Sequence, residues 1–355
     1  MPYTEVDVPE QRIDDPKAPI RTEVRHFEVT DEEAGQRLDN FVHKRLGDIP
    51  RSKVYRVIRK GEVRVNGHRA GPDTRLEAHD KIRIPPVRVR PPEEVGRPSA
   101  DLQETIRKSI VYEDAKLLVL NKPAGIAVHG GSGVSFGVIE VARALRPDEH
   151  LELAHRLDRD TSGCLILARS TAALRVVHAL LREETSTFEK RYLALVAGPW
   201  NLGKKRIDVP LRTDTRVGGE RTVRVDASGK PSLSEFRPVQ FFGKRATLME
   251  VGLLTGRTHQ IRVHAAHAGH PVAGDEKYGD AAFNAEMRTL GLNRMFLHAS
   301  SVSFEWPDGG QFSVNTPLPP ELATVIDKLA HLPKAKRTGA DRRRAAAAAE
   351  RKRSS

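Results

Sequence analysis

A Pro-rich, charged stretch, VRVRPPEEVGRPSADLQ at residues 87–103, separates two different hydrophobic patterns and so limits the chain to at least two independently packed parts. On its N-terminal side the pattern is helical, then extended. EVTDEEAGQRLDNFVHKRLG carries Leu38, Phe41, Val42 and Leu46 at helical spacing. Pro50 breaks the chain, Arg51-Ser52 opens a second helix with Val54, Val57 and Ile58 as its stripe, and Gly61 ends it. EVRVNGHRA alternates at Val63 and Val65 before an Asn66-Gly67 turn, and DKIRIPP supplies one more strand. Beyond the Pro-rich stretch come short β-rich runs: LLVLNKP, CLILAR, KRYLALVAG, ATLMEVGLL and FLHASSVSF. Helical patterns at VIEVARAL and TAALRVVHALLRE interrupt them. Strands mixed irregularly with few helices predict an α+β domain on a mostly antiparallel, mixed β-sheet. The expected organisation is an unstructured extension over 1–24, a small module over 25–87, a linker over 88–105, a large domain over 106–332, and a low-complexity basic tail over 333–355 that is disordered when free.

Composition excludes several classes. No apolar run approaches membrane-spanning length, and MPYTEVDVPEQ lacks the apolar core of a secretory signal, so a cytoplasmic location is expected. The single cysteine, Cys164, forms no internal disulfide and sits in the apolar GCLILA run, which suits an inert core thiol. The formal net charge is +12, and it is unevenly spread. Residues 334–355 carry nine Lys or Arg against two acids, and residues 25–90 carry sixteen against ten. Two separate basic segments are the footprint of a nucleic-acid partner. A monomer is the default.

The order of elements in residues 25–87, with SKVYRVIRKGEVRVNG followed by LEAHDKIRIPP, resembles the S4 (αL-like) RNA-binding domain. That resemblance would place Arg51, Lys53, Arg56, Arg59, Lys60 and Arg64 on a phosphate-binding face. Four further segments occur in one order: NKPAGIAVHGG, HRLDRDTSG, KRYLALV, and TGRTHQIRVH with AGHPVAGDEKYG. Together they resemble the pseudouridine synthases of the large-subunit ribosomal RNA type that carry an N-terminal S4 domain. The resemblance implies the pseudouridine synthase fold, large-subunit ribosomal RNA as partner, and isomerisation of uridine to pseudouridine. That reaction breaks the N1–C1′ bond and reattaches the base through C5, without redox change or net hydrolysis. It calls for a carboxylate near the sugar, exclusion of water and a base flipped from its stack. It calls for no metal and no organic cofactor.

By the same resemblance Asp158 of HRLD is the essential carboxylate, with Asp160 the weaker candidate. Tyr192 of KRYLALV would stack on the base, and its hydroxyl would handle a proton. Arg262 of HQIRVH would pair bidentately with Asp158, and Arg257 of TGRTH competes for that place. Arg156 is expected to fill the gap left by the flipped base. His155 and Thr161 would shape the loop. The route stays open among attack at C1′, attack at C6, and a glycal-like path through a C2′ proton.

Other readings compete. His259, His264, His267 and His270 lack the spacing of a helical ligand pair and have no cysteine partners, so they read as turn and strand histidines, not a metal site. GVSFG fits a G-x-S-x-G pattern with Ser135 as nucleophile, but glycines, not a strand, precede it. Transfer RNA is the alternative substrate. A non-catalytic RNA-binding or ribosome-assembly protein is the alternative class.

Overall fold

The computed structural model describes residues 20–21, 23–46, 49, 51–89, 96–130, 136–183, 187–215 and 221–332. The basic tail over 333–355, most of the N-terminal extension, and Ser135 all lie outside them. The chain divides into two compact units, residues 1–97 and 98–355.

In the first unit α1 (Leu38–Leu46) and α2 (Arg51–Arg59) accompany a four-stranded antiparallel sheet. The strands lie in the order β2 (Arg25–Glu28), β5 (Lys81–Ile84), β3 (Arg64–Val65), β4 (His68–Arg69). Leu38, Phe41 and Val42 of α1 and Val54 and Ile58 of α2 bury their stripes against Val63, Ile82 and Ile84. Each such aliphatic side chain contributes roughly 1.5–3 kcal/mol by leaving water. Asn66 and Gly67 both take positive φ, +50° and +82°, which is what a two-residue turn between β3 and β4 demands. Within the expected extension, β1 (Ile20–Arg21) pairs antiparallel with β6 (Arg88–Val89).

The second unit is built on a ten-stranded mixed sheet. Its main path runs β12 (Lys205–Asp208), β15 (Leu233–Phe242), β16 (Ala246–Leu253), β11 (Glu189–Ala197), β17 (Leu297–Glu305), β10 (Ser162–Ala168), β8 (Leu117–Lys122), β7 (Ile110–Glu113). Strand β9 (Glu152–Leu153) pairs with β10, and β18 (Gln311–Asn315) pairs with β17. All pairings are antiparallel except β10 with β17. Strands β13 (Leu211–Thr215) and β14 (Arg221–Val225) form a separate hairpin.

Helices cover both faces. Tyr192, Ala194 and Val196 of β11 join a core with β8, β10, α3 (Ala100–Lys108), α4 (Val138–Leu145) and α5 (Thr171–Leu180). Leu195 points the other way, into a core with α7 (Ala281–Thr289) and α8 (Pro320–His331). Strand β10, SGCLILA, is buried along its whole length, as expected of a central strand, and Cys164 within it is a buried thiol.

Two sequence expectations change here. Helix α3 begins at Ala100, inside the stretch read as linker, with Ser99 capping the Leu102 N–H and Ile106 in the core. The histidines of HQIRVHAAH do not lie on strands: His264 and His267, with Arg262, belong to the helix α6 (Gln260–His267), and His259 precedes it.

Candidate active site

Asp158 sits in the loop that leads into β10, and buried groups fix that loop from both sides. The Asp158 carbonyl accepts from Thr161 N–H at 3.1 Å, closing a tight turn. The Arg159 carbonyl accepts from Gly125 N–H and from Lys122 Nζ, each at 2.9 Å. Lys122 is fully buried, and its Nζ also donates to the carbonyls of Pro123 and Ile126. Burial pushes its pKa down to about 7, while three carbonyl acceptors and the nearby Asp160 and Asp158 favour the ammonium. After the turn, Gly163 has φ +112°, and a Cβ there would collide with the backbone of Ala299 on β17. Only glycine lets β10 lie so close to β17 at this point. His155 anchors the other end: its half-buried ring is held neutral, with a pKa pushed down to about 4 by desolvation, and Nε2 accepts from Ile166 N–H at 3.2 Å.

Helix α6 brings Arg262 to this loop. The turn ahead of it is tied down by Gln260, whose Oε1 accepts from Thr255 Oγ1 and Arg257 N–H, and whose Nε2 donates to Leu233 O and Ser234 Oγ. Arg262 was expected to form a two-pronged pair with Asp158. The structure corrects that: Nε and one terminal nitrogen donate to Asp275 at 2.7 and 2.8 Å, and only the other terminal nitrogen reaches Asp158 Oδ2, at 3.3 Å. Burial alone would raise the Asp275 carboxyl, but the Arg262 fork and the N–H groups of Lys277 and Tyr278 outweigh it and leave it lowered. The Arg262 guanidinium also lies 5.0 Å from the centre of the Tyr278 ring. His259 Nε2 stands 3.8 Å from the same Asp158 oxygen.

Tyr192 reaches the site on the face of β11 that also carries Ala194 and Val196, and opposite it the bulge lies in the partner strand β17. Arg191 pairs with Ser301 and Tyr192 with Ala299, leaving Ser300 between them, and Ser300 Oγ donates to the Arg191 carbonyl. The bulge takes Ser300 out of the ladder and leaves the alternation of β11 unbroken. Burial, then the charge of Asp158, pushes the Tyr192 phenol up, so it is a neutral donor across the physiological range. Lys190, on the same face of β11, is half-buried, and desolvation lowers its pKa to about 8. Asp158, Tyr192, Lys190, Arg262 and Arg156 line one cavity of about 350 Å³, walled by Leu157, Leu181, Leu253 and Leu297.

The chain is similar to known proteins over most of its length. Residues 116–267 match the family model described as RNA pseudouridylate synthase, and residues 36–82 match the S4 domain. Ribosomal large subunit pseudouridine synthase C of Pasteurella multocida (strain Pm70) is 49% identical over 314 residues, 87% of this chain and 95% of that protein. The chain belongs to the RNA pseudouridylate synthase family. The synthase C of Escherichia coli (strain K12) is 48% identical over 311 residues, 86% of this chain and 97% of that protein. Among solved structures, human RNA pseudouridylate synthase domain containing 1 aligns with TM-score 0.51 and 27% identity, over 63% of this chain and 95% of that one.

Within this pseudouridylate synthase fold, Asp158, Tyr192, Arg262 and Arg156 converge on one cavity. Arg257 lines it too, but donates to the Pro231 carbonyl and does not contact Asp158. Asp160 is exposed beside Arg159, as a surface charge. In the first unit, Lys53, Arg56 and Arg59 share the polar side of α2, opposite Val54, Val57 and Ile58, and Lys60 follows its last residue. Arg59 lies over the Tyr55 ring at 5.7 Å, and Arg64 is on β3. Arg51 opens α2, but its side chain lies outside the described residues. Sequence reasoning missed Asp275, Lys122, Lys190 and Tyr278. The only sequence signal for them was their position inside the NKP, KRY and GDEKYG segments. Among the described residues no three His, Cys, Asp or Glu side chains gather as a metal site.

Proposed function

We propose that this protein isomerises uridine to pseudouridine in large-subunit ribosomal RNA, with Asp158 acting on the ribose–base linkage of a flipped-out uridine. One observation carries the assignment of roles: among the described residues Asp158 is the one carboxylate lining a leucine-walled cavity, which the Arg262 guanidinium and the neutral phenol of Tyr192 also line. The apolar walls keep water from the separated sugar and base, which would otherwise hydrolyse. Tyr192 packs on the uracil ring, and its hydroxyl donates without ionising. Arg262, held by Asp275, orients the carboxylate. Arg156, exposed at the rim, fills the place the base leaves in the RNA stack.

The basic face of α2, with Arg64 of β3, and the tail over 333–355 supply affinity for phosphates, in a manner that weakens with salt. One chain carries every residue of the proposed set, so a monomer suffices. Its ribosomal RNA substrate places it in the cytoplasm.

The test is a pseudouridine map. Unmodified large-subunit ribosomal RNA is incubated with the protein, without metal or cofactor, beside Asp158→Asn. Modified positions are read as carbodiimide-dependent reverse-transcription stops. Discrete sites that vanish in the variant are expected. Sites on transfer RNA alone would overturn the substrate. Tight binding without any modification would overturn the enzymatic reading.

A further inference from the structure

His259 is held in an unusual way. It is one of three non-glycine residues with positive φ among those described, at +54°, and it sits at the entrance to α6. Such backbone strain persists only where the surroundings over-determine it, and it clusters at functional sites. The ring is fixed on one side by a 2.8 Å hydrogen bond between Nδ1 and the Tyr278 hydroxyl oxygen. That oxygen also accepts from Val223 N–H at 2.9 Å, so the hairpin β13–β14 holds the tyrosine in place. On the other side Nε2 lies 3.8 Å from Asp158 Oδ2, and His259 lines the cavity.

The isomerisation has a step that needs such a group. Once C5 has bonded to C1′, it carries both the sugar and its original hydrogen. That hydrogen must leave as a proton before the ring regains its conjugation.

We propose that His259 is a further catalytic residue, whose Nε2 takes the proton from C5 after the new C–C bond has formed. The C5–H bond breaks and its electron pair forms the C5–C6 double bond. The N1–C6 π pair returns to N1, which takes a proton from water or from the imidazolium, so protons and electrons balance. A ring nitrogen is free to act as base when the other carries its hydrogen into a fixed acceptor. The tautomer this step requires carries its hydrogen on Nδ1 and donates it to the Tyr278 oxygen 2.8 Å away. The Asp158 carboxylate stabilises the imidazolium that forms. Burial, against the favourable charge of Asp158, lowers the His259 pKa, which keeps the ring in its basic form at neutral pH.

The inference rests on the isomerase reading, and one experiment separates the two. Large-subunit ribosomal RNA is transcribed with uridine carrying deuterium or hydrogen at C5. Single-turnover conversion is then compared for the wild type and His259→Asn. Asparagine tolerates the left-handed backbone but offers no basic nitrogen. The expected result is a fall of about 100-fold or more in rate. With it, the hydrogen-to-deuterium rate ratio rises above its wild-type value, and added imidazole partly restores the rate. An unchanged ratio, with or without slower turnover, would overturn the inference, because a merely structural role slows both isotopic forms alike. If His259→Asn does not bind RNA, Tyr278→Phe answers the same question. It keeps the ring beside Arg262 and removes the acceptor for Nδ1 together with that for Val223 N–H, so the isotope ratio should rise there too. A wild type that makes no pseudouridine would instead overturn the isomerase reading.

Discussion

Arg262 is shared unequally between two carboxylates, and burial explains the inequality. The Asp275 side chain is fully buried, whereas that of Asp158 is 20% exposed. A buried carboxylate without a partner costs far more than one that faces a cavity, so the guanidinium turns its fork to Asp275 and offers Asp158 a single nitrogen. Asp275 therefore works as a positioning residue. Asp275→Asn would leave Arg262 facing an amide that brings N–H groups of its own. The expected loss is about 3–5 kcal/mol of stability, because one partner of a buried pair is removed. The thermal midpoint should drop by several degrees, and pseudouridine formation should slow. A variant that melts with the wild type would contradict this account of the pair.

Helix α6 shows how an element escapes sequence reading. Amphipathic helices announce themselves by an apolar stripe, but Gln260, Ile261, Val263, His264 and Ala265 are buried around nearly the whole circumference. A helix buried on all sides has no period to detect, and HQIRVH reads as a strand. Helix α2 is the opposite case. Its stripe of Val54, Val57 and Ile58 is plain in the sequence, and its charged side follows from it. If that side binds phosphates, Arg56→Ala and Lys60→Ala should each lower RNA affinity for all sequences alike. Each should also reduce the slope of log affinity against log salt by about one unit. Salt titrations of filter binding measure this, and an unchanged slope in both variants would remove α2 from the interface.

Acid stability is a property of the whole catalytic unit. His155, His264 and His298 lie in different elements, and burial pushes each pKa down to about 4 from an ordinary 6.5. The unfolded chain takes up these protons as pH falls through 6.5, and the folded chain does not until about 4. Stability is therefore complete above the upper value and is lost through that window, at about 1.4 kcal/mol per pH unit for each histidine. Thermal midpoints should fall steadily between about pH 6.5 and 4.5, and less steeply in His298→Asn. Midpoints flat across that range would show that these rings are protonated in the fold. The strands were legible for a similar reason of burial: β8, β10, β11 and β16 are short apolar runs whose faces are both covered, and such runs stand out in a charged chain. Sequence alone determined the two-part organisation, the basic RNA-binding character, and the family to which Asp158, Tyr192 and Arg262 belong. These rest on local periodicity, charge and segment order, all carried by neighbouring residues. Only the tertiary structure decided that Arg262 grips Asp275, that Lys122 clamps the Asp158 loop, and that His259 is strained toward the cavity. Those contacts join residues far apart in the chain, and competition for buried charge and hydrogen bonds is settled only when they meet.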